Sequence, residues 1–177
     1  MLFTPDEAGV RKTVKEMVST SGQEILNIIY DKGVWTLFLR RQTNLAFVMH
    51  LDKQQYMTVA SSCRVTDDAV IGKITESLQN SADLARFQYN LKSAITAPHS
   101  SFFIHTKDGN FAGFDILARI YPYEPGFALS HFDNALLTVI NAGILGMAYI
   151  ATIVGEQDLM QQVNECLKNA SPEGMFG

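Results

Sequence analysis

The chain has 177 residues, 47% of them apolar and 18% charged, with a formal net charge of -4. That length suits a single domain with a real core, and scattered basic residues on a mildly acidic chain give no electrostatic reason to expect nucleic acid. Cys63 and Cys166 lie far apart and form no C-x-x-C pair, which argues against a disulfide framework or a zinc site and for reduced thiols in the cytoplasm.

The first residues lack the charged and apolar regions of a secretory signal. Thr4-Pro5-Asp6-Glu7 reads instead as a helix start: a hydroxyl cap, proline at the first position, then acids facing the dipole. Val10, Val14, Met17 and Val18 continue at helical spacing, and the helix should end near Ser19 to Gly22. Four short runs rich in β-branched and aromatic residues follow, at 25–30, 34–39, 45–51 and 56–65. The polar breaks between them suit antiparallel hairpins. The 25–30 run is read as a strand, although Ile25, Ile28 and Ile29 also fit a helical period. Thr66-Asp67-Asp68 opens a second helix with Val70, Ile71, Ile74 and Leu78 on one face. Residues 82–95 either continue that helix or begin a strand at Leu84. Runs 100–106 and 112–121 form a hairpin around Lys107-Asp108-Gly109-Asn110, and the Tyr121-Pro122-Tyr123-Glu124-Pro125-Gly126 cluster ends it.

A long helix is expected from about Ala128 to Val154. Its part from Ala135 to Val154 holds no charged side chain and is long enough to cross a bilayer. Yet Asn141 interrupts it, its neighbours Asp133, Glu156 and Asp158 are acidic, and no Lys or Arg lies within ten residues of either end. Basic flanks normally set membrane orientation. A buried core helix, with Leu136, Ile140, Ile144, Met147 and Ile150 covered, is therefore the favoured reading, and a tail-anchored protein the less favoured one. An amphipathic piece at 156–167 and a polar tail complete one α+β domain over 1–177, with an N-terminal helix at 1–22 and a core at 24–154.

The chemistry-bearing residues do not assemble into a motif. His50, His99, His105 and His131 show no i, i+4 pair, and His131 and Asp133 would point apart on a helix. No nucleophile elbow or phosphate-cradling glycine loop occurs. Arg40-Arg41 reads as a solvated strand end, and Asp67-Asp68 as helix-start charge. No enzyme activity, cofactor or metal is expected.

Aromatic residues are more informative. Runs such as Val34-Trp35-Thr36-Leu37-Phe38-Leu39 are apolar on both faces, so a sheet with helices on one face would expose apolar area that marks a partner surface. Trp35, Phe38, Arg40, Arg41, Phe103 and Phe114 are the candidate residues of that surface, or of a pocket between sheet and helices.

The segments VWTLFLR, NLAFVMHLD, YMTVASSCRV and DDAVIGKITESL, the hairpin SFFIHTKDGNFAGFDILARIYP and the helix FALSHFDNALLTVINAGIL resemble the YbjN group, whose fold is that of type III secretion chaperones. The resemblance covers most of residues 24–154 and carries no site residues with it. It implies an antiparallel sheet with helices packed on one face, in the order α-β-β-β-α-β-β-α, with a strand at 25–30 as an addition. It also implies a homodimer that binds protein segments or regulates without catalysis. The expectation is thus a cytoplasmic, chaperone-like protein-binding domain with an unidentified protein partner and no role for nucleic acid or membrane. The alternative is a ligand-binding or enzymatic α+β domain with a pocket lined by Trp35, Phe103 or Phe114.

Overall fold

Asp6 caps the first helix in the computed structural model, which describes residues 6–42, 44–65, 68–78 and 81–154. Its extended backbone lets the carboxylate accept the Gly9 N–H, satisfying one of the orphan donors of α1 (Glu7–Thr20). The cap therefore falls at Asp6 and not at Thr4, which lies outside the described residues together with Pro5, Thr66, Asp67, Cys166 and the 156–177 segment.

A four-stranded meander follows: β1 (Glu24–Asp31), β2 (Val34–Arg41), β3 (Asn44–Leu51) and β4 (Met57–Arg64). Its first turn, Lys32-Gly33, has φ of 47° and 80°, the two positive values that match the twist of a tight hairpin. Residues 25–30 are thus a strand. Helix α2 (Asp68–Ser77) and a separate helix α3 (Ser81–Ile95) precede the hairpin of β5 (Ser100–Lys107) and β6 (Asn110–Ile120), and α4 (Leu129–Val154) ends the described chain. The observed order, α-β-β-β-β-α-α-β-β-α, adds β1 and α3 to the simpler order expected. Residues 82–95 are helical because Phe87, Leu91 and Ile95 recur at helical spacing and are buried.

The strands form one antiparallel sheet in the order β1-β2-β3-β4-β6-β5. The described helices lie on one face of it. There Trp35, Leu37, Leu39, Val48, Met57, Val59, Phe114 and Ile116 meet Phe132, Leu136, Val139, Ile140 and Ile150 of α4. Each fully buried aliphatic or aromatic side chain contributes roughly 1.5–3 kcal/mol by removal from water. Helix α4 crosses β6 and β4 and packs on α3. Its approach is close: a Cβ on Gly146 would stand 2.5 Å from Phe114 and 2.6 Å from Ile95.

Polar contacts fix α1 to the same face. Arg11 donates from Nε to Nδ1 of His50 (3.0 Å) and from Nη2 to Asp52 (2.6 Å). Because Nδ1 accepts, the ring proton sits on Nε2, which faces the Gln54 carbonyl at 3.0 Å and the Tyr123 hydroxyl at 3.1 Å. His50 is fully buried, and its three partners explain how a strand histidine is tolerated there. The Tyr30 hydroxyl also donates to Asp52.

Gly146→Ala should lower unfolding stability by about 1–3 kcal/mol, the usual cost of overpacking. Gly72→Ala, where an added Cβ meets nothing within 4 Å, should raise it by roughly 0.5–1 kcal/mol through helix propensity. Urea denaturation of both variants checks the pair. Equal effects would mean that α4 does not sit against Phe114 as described.

Candidate functional site

The strand registers build the sheet's other face row by row. Asn27 is opposite Phe38, Phe38 opposite Phe47, Phe47 opposite Ala60, Ala60 opposite Leu117, and Leu117 opposite Ser101. Directly opposed residues share a face, so this row runs straight across all six strands. A parallel row carries Ile29, Thr36, Met49, Thr58 and Arg119. Phe38 and Phe47 are half-buried, with ring centroids 6.1 Å apart, while Phe103 is 61% exposed. The Phe38 row is thus apolar across β2, β3, β4 and β6, with no described helix above it.

Two ion pairs neutralise charge on this face, and Arg119 lies over the Tyr56 ring, 4.7 Å from its centroid. Arg40 pairs with Glu24 beside the Phe38 row. On the other side, Asp115 accepts from Ser62 Oγ (2.6 Å) and Arg64 Nη2 (3.0 Å), and its other contact is His105 Nε2 at 2.8 Å. Burial pushes the Asp115 carboxyl upward, but the bonds from Arg64, Ser62 and His105 outweigh it and hold the group below its ordinary range. Serine, histidine and aspartate meet here without forming a nucleophilic relay. The carboxylate lies between the other two, whereas a relay needs the imidazole bonded to the hydroxyl. The cluster instead makes a neutralised polar island beside Phe103, which is opposite Asp115 in the β5–β6 register.

The six residues expected from the sequence divide. Phe38, Arg40 and Phe103 share the open face. Trp35, Arg41 and Phe114 belong to the helix side by strand alternation. Trp35 is 8% exposed and Phe114 1%, so neither forms a surface: both are core residues, and Phe114 is covered by Gly146. Phe47, Leu117 and the Asp115 cluster complete the face. Phe47 could have been found by parity, since pairing β2 with β3 places it opposite Phe38. A lone carboxylate in the apolar run GFDILARI signals Asp115.

A groove of about 410 Å³ lies elsewhere, between the end of β6, the 121–127 loop and the first turns of α4. Ala118, Ile120, Phe127 and Ala135 line it together with His99, Glu124, His131 and Asn134. None of Trp35, Phe103 and Phe114 reaches it. His131 accepts the Ala128 N–H through Nδ1, and Asp133 accepts from Ser21, so these two residues serve separate local contacts, as their spacing implies. Among the described residues no group of three or more His, Cys, Asp or Glu side chains could hold a metal ion.

The Asp115 cluster sets a pH dependence. A carboxylate with a lowered folded pKa adds stability above its unfolded value, near 3.8, and that contribution is lost as pH falls through the folded value. Asp115→Asn should therefore cost roughly 1–2 kcal/mol at neutral pH, where it leaves Arg64 and His105 without the charged acceptor and puts an amide N–H₂ in place of one oxygen. The gap from the parent protein should close on acidification toward pH 3. Urea melts across that range measure it, and a gap constant with pH would remove the electrostatic explanation.

No family model and no curated protein matches the chain by sequence. Solved structures do match. An uncharacterised protein from Methanothermobacter thermautotrophicus superposes with a TM-score of 0.69 over 82% of this chain and 99% of its own, at 11% identity. YbjN from E. coli, a proposed transcription regulator, matches over 91% of this chain and 97% of its own, at 13% identity and a TM-score of 0.42. At the level of fold the chain is similar to the archaeal protein: an α+β protein with a six-stranded antiparallel sheet and its described helices on one side.

Proposed function

We propose that this chain is a non-enzymatic, cytoplasmic domain that recognises an apolar segment of another polypeptide on the open face of its sheet, and that it works as a homodimer. The row Phe38, Phe47, Ala60, Leu117 supports the reading. Phe38, Phe47 and Leu117 are half-buried around the fully buried Ala60, an apolar row that no described helix covers, and apolar surface of this kind marks partner sites. The internal pairing of Glu24 with Arg40 and of Asp115 with Arg64 matters equally. These pairs neutralise the four charges that flank the Phe38 row, so an uncharged segment can be desolvated beside them without stranding those ions. Phe103, exposed at the rim of the polar island, supplies the kind of aromatic anchor that dominates contact energies.

A reduced, permanently unfolded model polypeptide tests this. The parent protein should bind it with a dissociation constant in the micromolar range, and Phe47→Asp should weaken binding by about tenfold or more, equivalent to roughly 1.4 kcal/mol. Fluorescence anisotropy reads both. Absence of binding by the parent, or unchanged binding by the variant, would refute the sheet-face reading.

The groove of about 410 Å³ favours a second reading, because its size and mixed lining suit a small ligand. A thermal-shift screen of small apolar anions and neutral metabolites decides for it only if a hit loses its effect in Asn134→Leu.

A further inference from the structure

Helix α4 carries a second surface that no described element covers. Its buried residues, including Phe132, Leu136, Val139, Gly143, Gly146 and Ile150, lie on one side. On the other, Leu137, Asn141, Ile144, Leu145 and Ala148 recur at helical spacing, with Ile144 45% and Leu145 57% exposed. Ile144 is therefore not covered as the sequence suggested, and Met147 is half-buried. A solvated helix face normally carries charges, but this one has none from Ala135 to Val154. Asn141 stands at its centre, both around the helix and near the midpoint of α4.

The geometry points to a second copy of this chain as the occupant, with two α4 helices antiparallel about a two-fold axis through Asn141. This rests on the homodimer proposed above and names its surface. The axis makes the stripe self-complementary: Leu137 meets Leu145 of the second copy, Ile144 meets Thr138, and Ala148 meets Asn134. Asn141 meets its own counterpart, and the two side-chain amides can each donate and accept. A two-fold contact brings identical groups together, and the absence of charge removes the repulsion that would otherwise arise there. A central asparagine in an apolar seam also fixes register, as in coiled coils.

Bilayer binding fits the same stripe less well. Helix α4 is long and apolar enough to span a membrane, with 39% of its most apolar window buried. Leaving the sheet would, however, expose Leu136, Val139, Ile140 and Ile150. Helices that lie on a membrane surface carry Lys and Arg on their polar side, and the nearest in sequence are Arg119 and Lys168. From Asn134 to Ala148 the stripe is about 21 Å long at 1.5 Å per residue. One helix wide, it offers roughly 200–300 Å² per copy, below the about 800 Å² of a standard interface. The dimer should accordingly dissociate at micromolar concentrations.

Sedimentation velocity of the full chain from about 1 to about 300 µM, the range that brackets such a constant, should show a monomer–dimer equilibrium. Leu145→Glu, at an exposed position, should be monomeric throughout with its melting temperature unchanged. Asn141→Lys and Asn141→Glu should each be monomeric alone and associate when mixed, a rescue that only a contact of residue 141 with itself predicts. A parent protein that stays monomeric, a dimer that survives Leu145→Glu, or a mixture that fails to associate would overturn the proposal. So would dissociation by Phe47→Asp, which would move the interface to the sheet, or Leu145-dependent flotation with anionic vesicles, which would make the stripe a membrane surface. Loss of dimerisation in Leu145→Glu with polypeptide binding retained separates this inference from the sheet-face reading.

Discussion

The contact of Gly146 with Phe114 and Ile95 sets how closely the long helix approaches the sheet. With no side chain at that position, α4 settles directly on β6 and α3, and the aromatic ring of Phe114 fills the space a Cβ would have taken. Protein interiors tolerate little void or overlap, so this distance governs the packing of Phe132, Leu136 and Ile150 around it. The helix layer on one side of the sheet is built around that approach, and α1 is held to the same layer by the buried His50 with Arg11 and Tyr123.

Putting the described helices on one face leaves two apolar surfaces that no described element covers. The sheet presents a neutral apolar band, and α4 presents an uncharged stripe away from it. They differ in kind. The band is apolar across β2, β3, β4 and β6 and lies beside two matched ion pairs, which suits a partner whose sequence varies. The stripe is narrow and symmetric about one polar residue, which suits a copy of itself. Proteins that bind apolar segments must also avoid binding one another without limit, and a closed two-fold contact achieves this where a head-to-tail contact would not.

Much of this was legible in the sequence, because turn chemistry and hydrophobic period are local signals. Asp31-Lys32-Gly33 and Asp108-Gly109 announce their hairpins, and the uncharged run announces α4. The misses have physical reasons. Residues 82–95 mix Leu84, Phe87, Leu91 and Ile95 with polar residues in a pattern whose strand and helix readings overlap until α4 is there to cover it. Ile144 reads as covered because a run apolar on all sides hides which side faces the core; that is set by Gly143 and Gly146, which turn inward. Runs apolar on both faces leave Trp35 and Phe114 open to a partner surface or a pocket, whereas strand parity, fixed by the register with β3 and β4, puts them underneath. The Asp115 cluster draws on three strands, and no single segment discloses it.

The pairing of β4 with β6 has a consequence for how the chain reaches this fold. Strands β1 to β4 join through short turns, and so do β5 and β6, but Ser62 must find Asp115 across the intervening α2 and α3. Joining distant segments carries the loop-closure entropy that slows folding. Until that seam closes, β4 is a bare edge and α4 has no complete floor to lie on. The meander and the hairpin are then two half-sheets awaiting each other, and the step that unites them also shields the most apolar helix of the chain from other molecules.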